Sequence, residues 1–243
     1  MEDGEILADT FKMVFPDLGQ LTNHSPLAQA MLMGFVPRGE KVDLKAYFNT
    51  RLGGCEHSTL VKNLLSRLDL NDAGFYERLY QSGTQAKFVG VGVDLHGDQS
   101  KRAKLYVKIP KSQVNAALEI LLEGQTHLKP EQAREEYSKL LDCVESDALC
   151  DEFELAISLR TEALPTLKLT AFFSSDDTSD QAEQSVVHYL ISRGYDGEPL
   201  KHLFEIMKKG VSEPGVKKQP VHGLGIEFPV EDQVNDETEQ QPV

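Results

Sequence analysis

The sequence predicts an α+β fold in which antiparallel strand pairs recur in series and helices cover one face of the sheet they form. Three observations carry this. Segments of alternating apolar residues come in pairs joined by short polar turns. Segments with helical apolar spacing follow each pair. The second strand of each pair repeats a related string, LKAYF, AKLYV and LKLTA, whose lysines Lys45, Lys104 and Lys168 lie 59 and 64 residues apart. A unit recurring at about 60 residues points to a closed or solenoidal assembly of one supersecondary motif.

The elements follow in order. EILADTFKMVF spaces its apolar residues as a helix does over 6–15, and Pro16, Gly19, Asn23 and Pro26 then break it. Residues 28–36 and 41–49 read as a strand pair around a turn at Pro37–Glu40. A helix carries Leu60, Val61, Leu64, Leu65 and Leu68 on one stripe. The next pair is 88–95 and 101–109 around HGDQ, followed by a helix marked by Val114, Ala117, Leu118 and Leu121 and another begun by Pro130. The third pair is 150–160 and 167–173 with a turn near Pro165, and helices follow at 178–193 and 197–209. Gly194 and Gly210 are placed to cap them. A last strand is expected within HGLGIEFPV, residues 222–230.

Composition narrows the class. A chain of 243 residues, 40% hydrophobic and 26% charged, suffices for one globular, soluble domain with its own core, assigned here to 1–230. There is no apolar run near 18 residues and no signal pattern at Met1, which argues against a membrane span or secretion. Cys55, Cys143 and Cys150 are irregularly spaced and form no CxxC pair, so a reducing cytoplasm is expected, with no disulfide framework or structural zinc. Thirty-nine acidic residues against 25 basic ones give a net charge of −14, which disfavours nucleic acid as a partner. It also makes any local cluster of Lys and Arg a candidate site for a small anion. The tail 231–243, EDQVNDETEQQPV, reads as acidic and disordered.

Strand alternation assigns faces. Leu44/Ala46/Phe48, Ala103/Leu105/Val107 and Leu169/Ala171/Phe173 suit packing against helices. The opposite face carries Asp43/Lys45/Tyr47, Arg102/Lys104/Tyr106 and Thr166/Lys168/Thr170. If the sheet closes, three lysines and an arginine converge in a lumen, where uncompensated burial is costly and a bound diphosphate would relieve it. If it stays open, these residues meet water.

LKAYFNTRLGG, GVDLHGDQSKRAKLYVKI and LKLTAFFSSDDTSDQAEQSVVHYLISRGYDG resemble successive segments of the aromatic prenyltransferases of the dimethylallyltryptophan synthase type, nearest their bacterial branch, over about residues 28–230. The resemblance implies an ABBA (PT) barrel: ten antiparallel strands built from αββα units with helices outside. It implies transfer of a dimethylallyl group from its diphosphate to an electron-rich arene, commonly an indole such as tryptophan, in secondary, alkaloid-type metabolism. By position it implies that Lys45, Arg102, Lys104 and Lys168 bind the diphosphate and that Tyr47 and Tyr106 shield the allylic cation. No metal or other cofactor is obligatory on this reading, because the protein's own cations meet the leaving group.

The sequence departs from the family pattern. The repeat that supplies the family's proton-accepting glutamate and a further diphosphate arginine has no counterpart, so the catalytic base is unassigned. Thr170 stands where the third strand's tyrosine is expected, and HGLGIEFPV lacks tyrosines. Three αββα units with a remnant at each end are too few to close ten strands. The alternative is therefore a truncated or inactive barrel that serves as a binding or interaction protein, or one that completes itself as a homo-oligomer.

Other motifs have plainer readings. DDTSD, 176–180, matches a magnesium–diphosphate string but sits between a strand and a helix, where it caps the helix. His57, His96, His127, His188, His202 and His222 show no metal-ligand spacing. Cys143 reads as a core thiol. Gly90 and Gly92 precede a turn and a strand, which suits close approach in a curved sheet and not a dinucleotide loop. Glu152 and Glu154 share the lysine face, as ion partners of Lys104 or Lys168 before acceptor-binding carboxylates.

Overall fold

Apolar and polar residues alternate along seven segments among the described residues, and the seven strands they form pair antiparallel with their neighbours in sequence. The computed structural model describes residues 2–15, 31–38, 41–52, 56–95, 101–123, 125–144, 149–161, 163–173, 179–210 and 222–228. After helix α1 (Glu2–Val14) come β1 (Met31–Arg38), β2 (Lys41–Asn49), α2 (His57–Leu68) and α3 (Phe75–Gln81). Then come β3 (Lys87–Leu95), β4 (Lys101–Pro110), α4 (Val114–Leu122) and α5 (Pro130–Cys143). The third round is β5 (Glu152–Arg160), β6 (Ala163–Phe172), α6 (Ser179–Ser192) and α7 (Glu198–Gly210), and β7 (Gly223–Glu227) follows. The unit of two strands and two helices thus occurs three times.

The core lies between the sheet and the helices. Ala103, Leu105, Val107 and Ile109 of β4 are at most 2% exposed, and they meet Leu60, Val61, Leu64 and Leu68 of α2 and Val114, Leu118 and Leu121 of α4 in one cluster. Shifting β4 by one residue would turn that whole set to the other face, losing about 1.5–3 kcal/mol for each large side chain. The hydrophobic pattern therefore also fixes where Arg102, Lys104 and Tyr106 point, since they alternate with it.

Helix ends follow local chemistry. Glu56 caps α2, its carboxylate accepting from the Ser58 and Thr59 amides at 3.0 and 2.6 Å. The hydroxyl and amide of Thr59, followed by those of Ser58, hold the Glu56 carboxyl at about 2, below its ordinary value. Pro130 opens α5 where a missing amide hydrogen costs nothing. Gly194, at φ 81°, ends α6 with its amide on the Ile191 carbonyl.

Several sequence expectations need correction. Pro37 and Arg38 continue β1, paired with Val42 and Lys41, so they are not turn residues. Pro165 lies inside β6, at the register shift opposite Leu159, where a residue lacking N–H is tolerated. Gly210 is the last residue of α7 and does not follow it. Helix α3 was not anticipated: at seven residues it is too short to show an apolar period, and its start depends on Asp72, which accepts from the Gly74 and Tyr76 amides. Asp176, Asp177 and Thr178 of the DDTSD stretch, together with Cys55, His96 and the tail 231–243, lie outside the described residues.

Candidate functional site

The face of the sheet opposite the helices carries Lys45, Arg102, Lys104 and Lys168. Tyr47 of β2, Gly92 of β3, Lys104 of β4 and Ser158 of β5 stand in one cross-strand row, and Lys45, Asp94 and Arg102 in the next. Tyr106 pairs with Ala156, and Ala156 with Lys168. Neighbouring strands are about 4.8 Å apart, so these groups face a common space.

Asp94 organises the cations. Its carboxylate is 3% exposed and lies 3.7 Å from both Lys45 Nζ and Arg102 Nη1. Arg102 Nε also donates to Ser158 Oγ at 3.0 Å, which fixes the guanidinium from its other side. Lys104 has no ion pair or hydrogen bond among the described residues. Burial pushes its ammonium below the ordinary lysine value. Arg102, Lys168 and Lys45 push the same way, and Asp94 opposes them. The four basic residues singled out from the sequence therefore share one electrostatic environment, with a single buried carboxylate among them.

The tyrosines adjoin this cluster. The rings of Tyr47 and Tyr106 lie 6.2 Å apart at 49°. They converge over Gly92, where a Cβ would come within 3.1 Å of Tyr47 and 3.4 Å of Tyr106. Gly90 likewise lies beneath the Tyr106 ring. Burial raises the Tyr106 phenol, helped by Tyr47, Glu154 and Asp94 and opposed by Arg102, so it stays protonated. Across β6, the side chain of Lys168 passes over Gly225 of β7. Thr170 pairs with Glu154 and Gly225 and presents no ring.

Two groups in this arrangement were missed in the sequence. Asp94 was legible as the polar end of FVGVGVD, but its role depends on the register between β2, β3 and β4. Ser158 carried no signal. The expected pairing of Glu152 and Glu154 with Lys104 or Lys168 is corrected: Glu152 pairs with Lys108 at 2.8 Å, and Glu154 makes no ion pair among the described residues. Asp43 falls where side chains are not described.

Elsewhere the chain offers less. Cys143 and Cys150 are free and buried, and burial pushes each thiol up to about 11, as suits core cysteines. No group of three or more His, Cys, Asp or Glu is placed to hold a metal among the described residues. A groove of about 510 Å³ runs between α6 and α7, past Asp180, Val187, Ile191 and Phe204, but none of its lining residues belongs to the sheet. No described helix is long and apolar enough to cross a membrane.

No protein-family model matches the sequence, and no curated protein matches it. Solved structures do match. 6-Dimethylallyltryptophan synthase from Micromonospora olivasterospora, in complex with DMASPP and Trp, is similar over 93% of this chain with a TM-score of 0.61 and 17% identity. AnaPT from Neosartorya fischeri is similar over 92%, with a TM-score of 0.63 and 13% identity. 5-Dimethylallyltryptophan synthase from Streptomyces coelicolor is similar over 93%, with a TM-score of 0.60 and 17% identity. This chain spans 63–64% of the length of these structures, just under two thirds. The seven-stranded antiparallel sheet with its helices on one face thus has the fold of the dimethylallyltryptophan synthase-type aromatic prenyltransferases, bacterial and fungal, over part of their ABBA barrel, with no closure between β7 and β1 among the described residues.

Proposed function

We propose that the chain binds dimethylallyl diphosphate on the open face of its sheet and transfers the dimethylallyl group to an electron-rich arene of the indole type, such as tryptophan, without an obligatory metal. The observation that carries this reading is Lys104. It is a half-buried ammonium without an ion partner among the described residues, set between Lys45, Arg102 and Lys168 and beside two tyrosine rings.

The arrangement suits ionisation of an allylic diphosphate. Fixed cations stand where negative charge develops on the leaving group, and they need no reorganisation as the bond breaks. The tyrosine faces offer the allylic cation a π surface and keep water from it. Asp94 holds Lys45 and Arg102 in place but cannot neutralise four cations, which leaves an anion deficit for a diphosphate to fill. The DMASPP and Trp of the Micromonospora structure support both substrate classes. The buried free thiols fit a reducing cytoplasm, where such a reaction would belong to secondary, alkaloid-type metabolism.

Lys104→Ala tests the reading. With dimethylallyl diphosphate and tryptophan, the variant is expected to lose about 100-fold or more in kcat/KM. Wild-type kinetics in the variant would overturn the assignment.

A further inference from the structure

The open face is graded along the strands. Lys45 and Arg102 with Asp94 occupy one end, and Lys104, Lys168 and the tyrosines the middle. At the other end, Lys108 of β4 pairs in register with Glu154 of β5, and Glu154 with Thr170 of β6. From the Lys104–Ser158 row to Glu154 is four residues along β5, about 13 Å. That leaves room for a prenyl chain and an aromatic ring between the two ends.

Four carboxylates have described side chains on this face, and two of them are held in ion pairs among the described residues. Asp94 is shared by Lys45 and Arg102. Glu152 is bound to Lys108 at 2.8 Å. Glu227 is exposed on the outer strand β7, opposite Lys168. Glu154 alone is half-buried, flanked by Phe153 and Leu155 at 0% exposure on the core side, with neither hydrogen bond nor ion pair among the described residues.

Transfer to an arene needs such a group. The C–O bond of the prenyl diphosphate breaks and its electron pair leaves on the diphosphate. A π pair of the arene then forms the new C–C bond, giving a cationic ring. To restore aromaticity, the C–H electrons return to the ring and the proton passes to a base. We propose that Glu154 is that base. The inference rests on the prenyl-transfer reading above.

Burial raises the Glu154 carboxyl above its ordinary value, which makes its carboxylate a better proton acceptor. The groups facing it are Lys108 from β4, Arg51 from the turn after β2 and Lys168 from β6, all of which lower it. Glu152 is engaged with Lys108, and the Tyr106 phenol is itself raised by the Glu154 charge.

The test is Glu154→Gln, with Glu154→Ala as a second variant, on the full chain with dimethylallyl diphosphate and tryptophan. The expected result is a fall in kcat of about 100-fold or more with the KM for dimethylallyl diphosphate unchanged. The acid limb of the wild-type pH profile should vanish, and ring-deuterated tryptophan should react more slowly than protiated tryptophan in the variants. Wild-type kcat and pH profile in either variant overturn the assignment of Glu154 while leaving prenyl transfer standing. Absence of arene turnover in the wild-type chain overturns both.

Discussion

Lys104 carries a cost that function can explain. Its ammonium is lowered by burial and by three neighbouring cations, against one carboxylate. Between its folded value and 10.5 the unfolded chain binds more protons, so this residue makes stability rise with pH across that window and works against the fold below it. Lys104→Met removes the charge and keeps the aliphatic stem. In the absence of ligand it is expected to melt at or above the wild-type temperature near neutral pH. A clearly lower melting temperature would show that Lys104 is a structural residue. Gly92 shows the same subordination of packing to the site, since it weakens its strand so that two tyrosine rings can lie over the backbone. The Lys-x-Tyr pairs were legible as residues in the sequence, but the side chains that hold them were not. Asp94 and Ser158 come from other strands, and only the register brings them to Arg102.

Among the elements, the long periodic ones were legible and their edges were not. Helix α2 is an example, with its stripe of Leu60, Val61, Leu64 and Leu68 plain in the sequence. Its cap is less plain, because Glu56 does the work of a Ser or Asp. Short helix α3 and Pro165 inside β6 escaped because local propensity was outvoted by tertiary packing. The cap makes a prediction at this scale. The Glu56 carboxyl stands at about 2 when folded, so its contribution is complete above its ordinary 4.5 and is lost as pH falls toward 2. Wild type should therefore lose more stability between pH 4.5 and 2 than Glu56→Gln, in urea melts at each pH. Parallel losses would show that the cap contributes nothing.

For the whole molecule, strand alternation specified a sheet with one apolar and one basic face, and the fold carries both. What alternation does not encode is closure. The pairing runs from β1 to β7 without returning from β7 to β1 among the described residues, and the similar solved structures are longer by about a third of their length. The site proposed here needs only β2 to β6, which stand side by side, so its anion-binding capacity does not depend on closure. Calorimetric titration of dimethylallyl diphosphate into the protein, with a chelator present, tests this most directly. Saturable one-to-one binding to wild type, weakened at least about tenfold by Lys104→Ala through loss of a charge-assisted contact, is the expected result. No saturable binding, or equal affinity in the variant, would contradict the assignment of this face as a prenyl diphosphate site.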